Sequence, residues 1–576
     1  MIDMRASRLG IQTAREFPAD ADNLAQAWLI RGGYLYRHAA GIYSFTGLAF
    51  RVLRKVSCII EEEVSRHGGS QVQLPVLQSA DLWQRTGRWA RYEREKLMFH
   101  LQDRKGSIYG LAPTAEEAVL ELANHLVRSP TQLPLILFQQ NLKFRDELRP
   151  RSGLLRAREF VMMDAYSFDM DAEGLDASYR SMVEAYHAVF RKIGIEYIVV
   201  QADSGPPGGS GSQAFMAVSE TGEDRVLCCD DYAANLERAS SEPPVAEPLA
   251  EASMEVVDTP NAGTIEEVAA LLSVSPTAIL KTLVYDVFFE DRTEQVVVCI
   301  RGDCQVNEVK LANHFGAMTA RPSEAETVER VTGIRPGFIG PVGLPEGVTV
   351  VADHSLDGLS SLVCGVCRPD KHAKGARPGR DFELPPSIDV RLAREGENGP
   401  TGKPLQSCRG IELGRVSRIG RRYSQPLDAG VLDSSQTFRP FEMGSYRIAT
   451  TRLIAAIVDQ NCSKEGGIRW PVSVAPFHVH VIPLKVADKD VMELAERFER
   501  EFEANGIECL LDDRKGSAGS KLKDSDIIGL PFRVVLGRGL KKGVVEVLDR
   551  IGAANEEVPI DEVVARLTDA VSASLA

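Results

Sequence analysis

The stretch KFRDELRPRSGLLRAREF, residues 143–160, is the most informative part of the sequence because two apolar-rich segments flank a short basic connection. The segments ILFQQNLKFRDE (136–147) and FVMMDAYSF (160–168) predict two strands joined by an exposed loop. Arginine keeps its charge and binds phosphate oxygens through paired hydrogen bonds. Arg145, on the first predicted strand, and Arg156, in the loop, are therefore candidates for holding a triphosphate.

Glu147 and Phe160 extend this candidate site. Alternate residues of a strand share a face, so Glu147 would lie beside Arg145. A carboxylate there would orient the arginine, receive an adenine amino group or help to hold magnesium. Phe160 would offer a surface for stacking. Because charge runs on hairpins are common, a solvated basic hairpin is the alternative interpretation of these residues alone.

The elements around this hairpin follow from hydrophobic periodicity. RVLRKVSCIIEEEVSRH (51–67) predicts an amphipathic helix that ends before Gly68-Gly69, and QVQLPVL (71–77) predicts a half-buried strand interrupted by Pro75. A stretch rich in Pro, Ala, Ser and Glu at about 238–264 and a second low-structure stretch at about 373–407 enclose a predicted α/β insertion. The last ~100 residues alternate strands and helices and predict a separate α/β domain.

Composition excludes several classes of protein. The chain has 576 residues and a formal net charge of −14, which argues against a surface that is basic throughout. It lacks an apolar run of the ~18 residues that a spanning helix needs, so we expect no membrane protein. The N-terminal sequence lacks the apolar core of a secretory signal, and we expect a cytoplasmic protein. Ten cysteines suit a reducing compartment, and the single Cys364–Cys367 pair predicts ordinary thiols rather than a metal site.

Residues 514–542 form a basic segment within this acidic chain. Eight basic side chains stand against Asp524 and Asp526, so the local net charge is +6. The basic residues are Arg514, Lys515, Lys521, Lys523, Arg533, Arg538, Lys541 and Lys542. Such a patch on a small domain suits contact with an RNA backbone, and a merely solvated face is the alternative.

FRDE (144–147) and RAREF (156–160) resemble motif 2 of the class II aminoacyl-tRNA synthetases. The wider sequence resembles the bacterial-type prolyl-tRNA synthetases over nearly the whole chain. The other stretches that carry this resemblance are TAEE (114–117), VQADSGPPGGSGS (200–212), IRGD (300–303) and MGSYRIATTR (443–452). An ordered set of this kind does not arise readily by chance.

The resemblance implies an α/β multidomain fold whose core is an antiparallel sheet flanked by helices. The implied domains are a catalytic core in two parts (1–223 with motifs 1 and 2, 409–470 with motif 3), an editing insertion (224–408) and an anticodon-binding domain (471–576). It also implies a homodimer, formed through the motif 1 helix and the strand at Pro75.

The implied activity is that of a proline–tRNA ligase, which forms prolyl-adenylate from proline and ATP and transfers the prolyl group to tRNA(Pro). Magnesium enters with ATP, and no tightly bound cofactor or protein metal site is expected. The implied catalytic residues are Arg145 and Arg452, and the ATP-binding residues are Arg145, Glu147, Arg156, Phe160 and Arg452. The implied proline-binding residues are Thr114, Glu116, Arg145, Gln213 and Ser445. As bare sequence, T-x-x-E at 114–117 also predicts a helix capping box.

The insertion has a chemical rationale. A pocket sized for proline cannot sterically reject alanine, and one or two methylenes give only ~10 to 200-fold discrimination. A second site that hydrolyses alanyl-tRNA(Pro) would solve this. The resemblance assigns Lys281, Asp353, Gly340 and His372 to that site, with an oriented water as the nucleophile.

Several positions depart from the family pattern. The family's T-H-E-E reads TAEE with Ala115, its S-H-E-F reads SQAF with Gln213, and its G-I-G reads RIA with Arg447 and Ala449. Its G-H-I-F reads GRVS (414–417), and its G-A-N reads GVC (365–367). Two further hypotheses follow. One is a degenerate paralogue that binds or edits tRNA or tolerates an inhibitor, and the other is an ATP-utilising ligase that would have no use for the C-terminal domain.

Overall fold

The computed structural model describes residues 5–203, 210–243, 245–246, 249–289 and 292–575. Residues 204–209 of the glycine-rich stretch 200–212 lie outside this part of the chain. The protein is a mixed α/β chain with two compact units. The first comprises Met1–Val199, Ser204–Glu223 and Arg409–Ala576, and the second comprises Val200–Asp203 and Asp224–Cys408. No helix among the described residues combines the length and the apolarity needed to cross a bilayer.

An antiparallel sheet forms the centre of the first unit. Its neighbouring strands are, in order, Ser210–Val218, Gln406–Gly420, Glu442–Ile448, Glu159–Asp169 and Leu135–Phe144, with the short Gly69–Gln71 added in parallel at the edge. The predicted strand pair around the basic loop is confirmed, and the loop contains one turn of 3-10 helix at Gly153–Leu155. The first strand ends at Phe144, one residue before Arg145, so Arg145 and Glu147 lie in the connection rather than on the strand.

Amphipathic helices cover one face of this sheet. They are Leu24–Arg31, Gly47–Arg66, Ala172–Ile193 and Thr450–Gln460. The helix predicted at 51–67 is confirmed and begins at Gly47, with Val52, Val56, Ile60 and Val64 fully buried. The predicted strand 71–77 is wrong as one element, because Pro75 separates the strands Gly69–Gln71 and Leu77–Ser79.

The helix Gly47–Arg66 also contacts the start of the C-terminal domain. Arg51 Nε donates to the carbonyl of Pro476 over 2.6 Å, and Lys55 Nζ donates to the carbonyl of Ala475 over 2.6 Å. Both cations form ion pairs with Glu508. One helix therefore supports the central sheet and holds the neighbouring domain.

Smaller elements complete the first unit. The helices are Ala80–Arg85, Arg88–Arg94 and Glu116–Leu126. The strands Leu77–Ser79, Ile108–Leu111 and His100–Gln102 form one small sheet. Two-stranded sheets pair Leu35–Ala39 with Ile42–Phe45, Gly430–Leu432 with Phe438–Pro440, and Cys462–Ser463 with Gly467–Ile468.

The C-terminal domain is the α/β domain that its sequence predicted. Its sheet has the order Cys509–Leu511, Val479–Pro483, Phe532–Leu536, Val544–Asp549 and Ala554–Pro559. The first three strands are parallel and the last two are antiparallel. Its helices are Lys489–Ala504, Ala518–Ile528 and Val563–Leu575.

The second unit is built on a mixed sheet. Its strand order is Glu255–Asp258, Lys371–Ala376, Leu362–Gly365, Ile279–Phe288, Thr293–Arg301, Thr349–Asp353 and Ser387–Ile388. Thr319–Pro322 pairs with Ile279–Phe288 as a branch. The helices are Ile265–Leu272, Glu308–His314 and Ala325–Thr332. Asp224–Cys229 and Tyr232–Asn235 form a hairpin, and Ile198–Ala202 pairs with its second strand through Gln201.

Candidate active site

A cavity of about 240 Å³ opens in the first unit beside the motif 2 loop. Its walls combine four arginines and two glutamates with apolar groups. The lining residues are Tyr92, Leu97, Pro113, Thr114, Arg145, Glu147, Met162, Glu412, Leu413, Gly414, Arg415, Arg447, Ala449 and Arg452. Such a concentration of guanidinium groups in one cavity suits a ligand that carries phosphate.

Arg145 enters the cavity from the end of its strand. Its backbone N–H donates to the carbonyl of Arg158 over 2.9 Å, which fixes the start of the loop. The Arg145 Cζ atom lies 5.1 Å from the centre of the Phe160 ring, a distance at which a cation and an aromatic face attract. Burial and the charges of Arg447 and Arg452 lower the pKa of Arg145 to about 10, so it remains a cation at neutral pH.

Glu147 is held by the returning part of the loop. Its Oε2 accepts from Arg156 Nε over 2.7 Å, and its carbonyl accepts from Arg158 Nη2 over 3.0 Å. Arg156 also contacts Glu223 through Nη1 over 3.2 Å. The structure thus brings Arg145, Glu147, Arg156 and Phe160 together, although only the first two line the cavity.

Arg88 organises the loop that contains Thr114 and Glu116, and no sequence motif pointed to this residue. Its Nη2 donates to Thr114 Oγ1 over 2.8 Å and to the Tyr92 hydroxyl over 2.7 Å. Its Nη1 donates to Glu116 Oε2 over 3.1 Å and to Glu117 Oε2 over 2.9 Å. The predicted capping box is wrong, because helix Glu116–Leu126 is preceded by Ala115 and has no side-chain cap.

Electrostatics keep Glu116 ionised. Its side chain is fully buried, which opposes the charge, but the cations of Arg88 and Arg447 hold its pKa below the ordinary value. Burial raises the pKa of the adjacent Glu117 instead. Glu116 Oε1 has no hydrogen-bond partner within the described part of the chain. It is therefore a buried, charged group with one acceptor oxygen that no described residue occupies.

A buried network of hydrogen bonds connects this loop to strand Glu159–Asp169 of the central sheet. Lys143 Nζ lies 2.8 Å from Asp164 Oδ1, and both side chains are almost fully excluded from solvent. Asp164 Oδ2 accepts from the Tyr166 hydroxyl over 3.1 Å, and that hydroxyl accepts from the Ala115 N–H over 3.2 Å. The departure at Ala115 thus leaves the backbone of the loop anchored.

Motif 3 contributes Arg447 and Arg452. Arg452 Nε donates to the carbonyl of Leu155 over 3.0 Å, and its Nη1 donates to the carbonyl of Glu412 over 3.3 Å. Arg447 lies opposite Arg415 on one neighbouring strand and opposite Asp164 on the other. Arg415 is already bonded to Glu412 through Nε over 3.1 Å.

Gln213 and Ser445 do not line the cavity. Gln213 Oε1 accepts from the Tyr179 hydroxyl, 2.9 Å away, on helix Ala172–Ile193. Ser445 is fully buried two residues before Arg447, and its Oγ has no hydrogen-bond partner among the described residues. Of the predicted proline-binding residues, Thr114 and Arg145 therefore line the cavity, and Gln213 lies against a helix. Glu116 is buried and shares the guanidinium of Arg88 with Thr114.

The predicted editing residues lie in the second unit. Gly340 faces the backbone of Gly365, and a Cβ atom on Gly340 would come within 1.7 Å of the Gly365 carbonyl oxygen. His372 lies opposite Gly365 on the neighbouring strand, is buried, and shares a 2.7 Å hydrogen bond with Thr259 Oγ1. Burial lowers the pKa of His372. Gly340, Gly365 and His372 thus form one tightly apposed cluster.

The other two predicted editing residues have separate partners. Lys281 Nζ donates to the carbonyl of Cys304 over 2.5 Å, and burial lowers its pKa. Asp353 is fully buried, and its carboxylate accepts from the N–H groups of Ser355 and Val390 over 2.8 and 3.0 Å. Asp353 therefore caps backbone structure, whereas the lysine is a half-buried cation beside carbonyl oxygens.

The basic segment of the C-terminal domain divides into two groups. Arg514 pairs with Asp512 and Asp524, Arg533 pairs with Asp526, and Lys521 is buried. The other five basic residues are exposed: Lys515, Lys523, Arg538, Lys541 and Lys542. These five, rather than all eight, are available to an RNA backbone.

Among the described residues, no cysteine lines the cavity. All ten cysteines are free thiols, with Cys364 buried and Cys367 within 3.5 Å of the Gly340 carbonyl. The described residues contain no group of three or more His, Cys, Asp or Glu side chains arranged to hold a metal ion.

Comparisons with known proteins cover both units. The family described as Aminoacyl-tRNA editing domain matches residues 259–382, and the family described as Anticodon binding domain matches residues 478–570. The proline–tRNA ligase of Pelotomaculum thermopropionicum is 42% identical, over 98% of this chain and 99% of that protein. The proline–tRNA ligase of Moorella thermoacetica is 43% identical, over 97% of this chain and 96% of that protein.

A solved structure agrees in fold. The crystal structure of prolyl-tRNA synthetase from Cryptosporidium parvum, complexed with L-proline and AMP, matches with a TM-score of 0.57 and 11% identity. The match covers 99% of this chain and 78% of that chain. At this identity the likeness concerns the fold alone.

Proposed function

Since the chain belongs to the proline–tRNA ligase family, we propose that it activates proline in the cavity around Arg145 and Glu116. The observation that carries this assignment is the buried, ionised carboxylate of Glu116, one oxygen of which has no hydrogen-bond partner among the described residues. It would accept the secondary ammonium group of proline together with Thr114. Arg145 would then lie between the proline carboxylate and the α-phosphate of ATP.

Adenylate formation requires little beyond positioning and neutralisation of charge. A proline carboxylate oxygen attacks the α-phosphorus, the new C–O–P linkage forms, and the bond to the bridging oxygen breaks as pyrophosphate leaves with the electron pair. The fixed charge of Arg145 stabilises the crowded phosphoryl oxygens. Arg452, held by two backbone carbonyls, has a fixed charge for the departing pyrophosphate.

Adenine and magnesium would occupy the outer part of the site. Phe160 offers the stacking surface, and Glu147, fixed by Arg156, offers an acceptor for the adenine amino group. Magnesium would arrive as part of the substrate MgATP, and the carboxylates of Glu147 and Glu412, which line the cavity, would offer oxygen atoms to it.

The prolyl group would be transferred to tRNA at the same cavity, and the C-terminal domain would recognise the tRNA. A ribose hydroxyl of the terminal adenosine of tRNA(Pro) attacks the adenylate carbonyl, and AMP leaves. The exposed cations of the C-terminal domain would bind the RNA backbone near the anticodon. We place this reaction in the cytoplasm, where tRNA is charged during translation.

We assign hydrolysis of alanyl-tRNA(Pro) to the second unit. The Gly340–Gly365 contact leaves no room for a side chain, so backbone groups form the wall beside His372. Lys281 would attract the tRNA terminus by its charge. The domain limits 223/224, 408/409 and 470/471 remain part of this proposal, and limited proteolysis would test them.

We further propose a homodimer formed through the motif 1 region. A groove of about 580 Å³ lies beside Leu74, Pro75 and Leu77, and it continues to Ala118 and Leu122 on helix Glu116–Leu126. Leu77 is half exposed beside it, which suits an apolar contact with a second copy. Sedimentation of the wild type and a Leu77→Glu variant would test the assembly, with a monomeric wild type contradicting it.

A degenerate paralogue remains the second candidate, and Arg447 is the observation that favours it. A long side chain in a cavity of only about 240 Å³ would compete with ATP for space. That hypothesis predicts binding of tRNA without formation of an adenylate.

Amino-acid-dependent ATP–pyrophosphate exchange distinguishes the two candidates. We expect exchange with proline above alanine, cysteine and a control without amino acid, and its loss in Arg145→Ala. Arg149→Ala, which removes an exposed arginine of the same loop, is the matched control and should keep full activity. Absence of exchange with every amino acid, with tRNA binding intact, would establish the paralogue instead.

A further inference from the structure

The four arginines of the cavity differ in their partners. Arg415 is bonded to Glu412, and Arg452 donates to two backbone carbonyls. Arg145 stacks on Phe160. Arg447 has neither a hydrogen bond nor an ion pair within the described ranges. A half-buried guanidinium has five N–H donors, and leaving them without partners is costly unless a ligand or water accepts them.

Each of the neighbouring carboxylates is paired with a cation other than Arg447. Asp164, directly opposite Arg447, is paired with Lys143 and accepts from Tyr166. Glu412 is bonded to Arg415. Glu116 is paired with Arg88 and keeps one oxygen without a hydrogen-bond partner in the described part of the chain, which the proposed function reserves for the ammonium group of proline.

Arg447 is also close enough to Arg145 for the two charges to repel, and this repulsion contributes to the lowered pKa of Arg145. Two unbonded cations that face one small cavity form a strong local field for an anion. The anionic groups of the proposed reaction are the proline carboxylate and the phosphates. Of these, the carboxylate and the α-phosphate would lie beside Arg145.

We propose that Arg447 is a second catalytic guanidinium, which binds the α-phosphate and the proline carboxylate together with Arg145. This inference rests on the proposed function and adds a residue to its chemistry. A carboxylate oxygen forms a bond to the α-phosphorus while the bond to pyrophosphate breaks, and no proton is transferred. Two guanidinium groups neutralise the negative charge that gathers on the non-bridging oxygens.

The alternative is that Arg447 only fills space, and the two roles give opposite results on truncation. The variants are Arg447→Ala, Arg447→Gly and Arg447→Lys, with Arg421→Ala as the matched control because Arg421 pairs with Glu442 outside the cavity. If Arg447 binds the reacting groups, Arg447→Ala should lower kcat for proline-dependent exchange by about 10²–10³-fold. Arg447→Lys should keep part of the activity, since lysine has the charge of arginine but cannot form the paired hydrogen bonds of a guanidinium group.

Binding measurements separate this inference from the proposed function. By calorimetry, Arg447→Ala should lower the affinity for ATP at least tenfold and leave the affinity for adenosine unchanged, even if the wild type shows no exchange. Unchanged or increased kcat and ATP affinity in Arg447→Ala or Arg447→Gly would overturn the inference. Thermal melting of each variant checks that the fold is intact.

Discussion

Arg88 and Glu117 form an ion pair that is almost wholly excluded from water, with Nη1 2.9 Å from Oε2. The same guanidinium bonds Thr114 and Glu116, and its Cζ atom lies 4.4 Å from the centre of the Trp83 ring. One side chain therefore fixes the groups that we assign to the ammonium end of proline. Although it lies outside the cavity lining, it sets the geometry of that end of the site.

We predict that Arg88→Met raises the KM for proline far more than the KM for ATP, because Thr114 and Glu116 lose their common anchor. Leaving two carboxylates buried without a partner should also cost about 3–5 kcal/mol of stability. Exchange kinetics and urea unfolding measure the two effects. Arg94→Ala, which removes an exposed arginine of the same helix, should cost less than about 0.5 kcal/mol. A proline KM unchanged in Arg88→Met would contradict this role.

We predict that Gly340→Ala impairs the editing unit and spares proline activation. The added methyl group would meet the Gly365 carbonyl oxygen at 1.7 Å, so the two backbone segments must separate. Deacylation of alanyl-tRNA(Pro) measures the loss, and ATP–pyrophosphate exchange should stay at the wild-type level. Gly263→Ala is the matched control in the same unit, because its nearest new contact would be an ordinary 3.8 Å. Equal deacylation by both variants would refute the assignment.

We predict that the double variant Lys541→Ala, Lys542→Ala binds tRNA more weakly than the wild type. We also expect its affinity to depend less steeply on salt concentration. Each lost phosphate contact reduces the magnitude of the slope of log K against log salt by about 0.7–0.9. The slope of the double variant should therefore be smaller in magnitude by about 1 to 2. Filter binding at several salt concentrations gives the slope. Arg566→Ala removes a cation that is paired with Glu556 in the same domain and should leave the slope unaltered.

We predict that His480 makes the C-terminal domain sensitive to acid. Burial lowers its pKa to about 3, whereas the unfolded chain binds the proton near 6.5. Its contribution to stability is therefore complete above pH 6.5 and is lost as the pH falls towards 3. Between pH 7 and pH 5 the wild type should lose about 2 kcal/mol more than His480→Asn.

Hydrogen exchange of strand Val479–Pro483, corrected for intrinsic rates, would measure this difference. The exposed His125 provides the control, and His125→Asn should follow the wild type at every pH. Parallel curves for wild type and His480→Asn would exclude the proposed linkage.

Periodicity and motif order predicted most of the architecture. The helix beginning at Gly47, the strands around the basic loop and the C-terminal α/β domain each have strong local patterns, and all are present. The predicted strand 71–77 failed because proline cannot donate to the ladder, which divides the segment into two short pieces.

Residues of the candidate site were predictable only where they belong to a recognised sequence motif. Arg145, Glu147 and Phe160 belong to such a motif, but Arg88 lies in the segment RWARYER without a distinguishing pattern. Its role arises from long-range contacts with Thr114 and Glu116. Likewise, a count of charges at 514–542 could not reveal that Asp512 lies beside Arg514 and reduces the free cations.

Contacts of helix Gly47–Arg66 hold the catalytic sheet and the C-terminal domain at a fixed spacing. Arg51 and Lys55 clamp Glu508 and the carbonyls of Ala475 and Pro476, and the same helix buries its apolar face beneath the catalytic sheet. This helix thereby sets the distance between the proposed adenylate site and the exposed cations of the C-terminal domain. A tRNA that contacts the adenylate site and these cations at the same time must span that distance. The helix therefore sets the length of RNA that can reach both places.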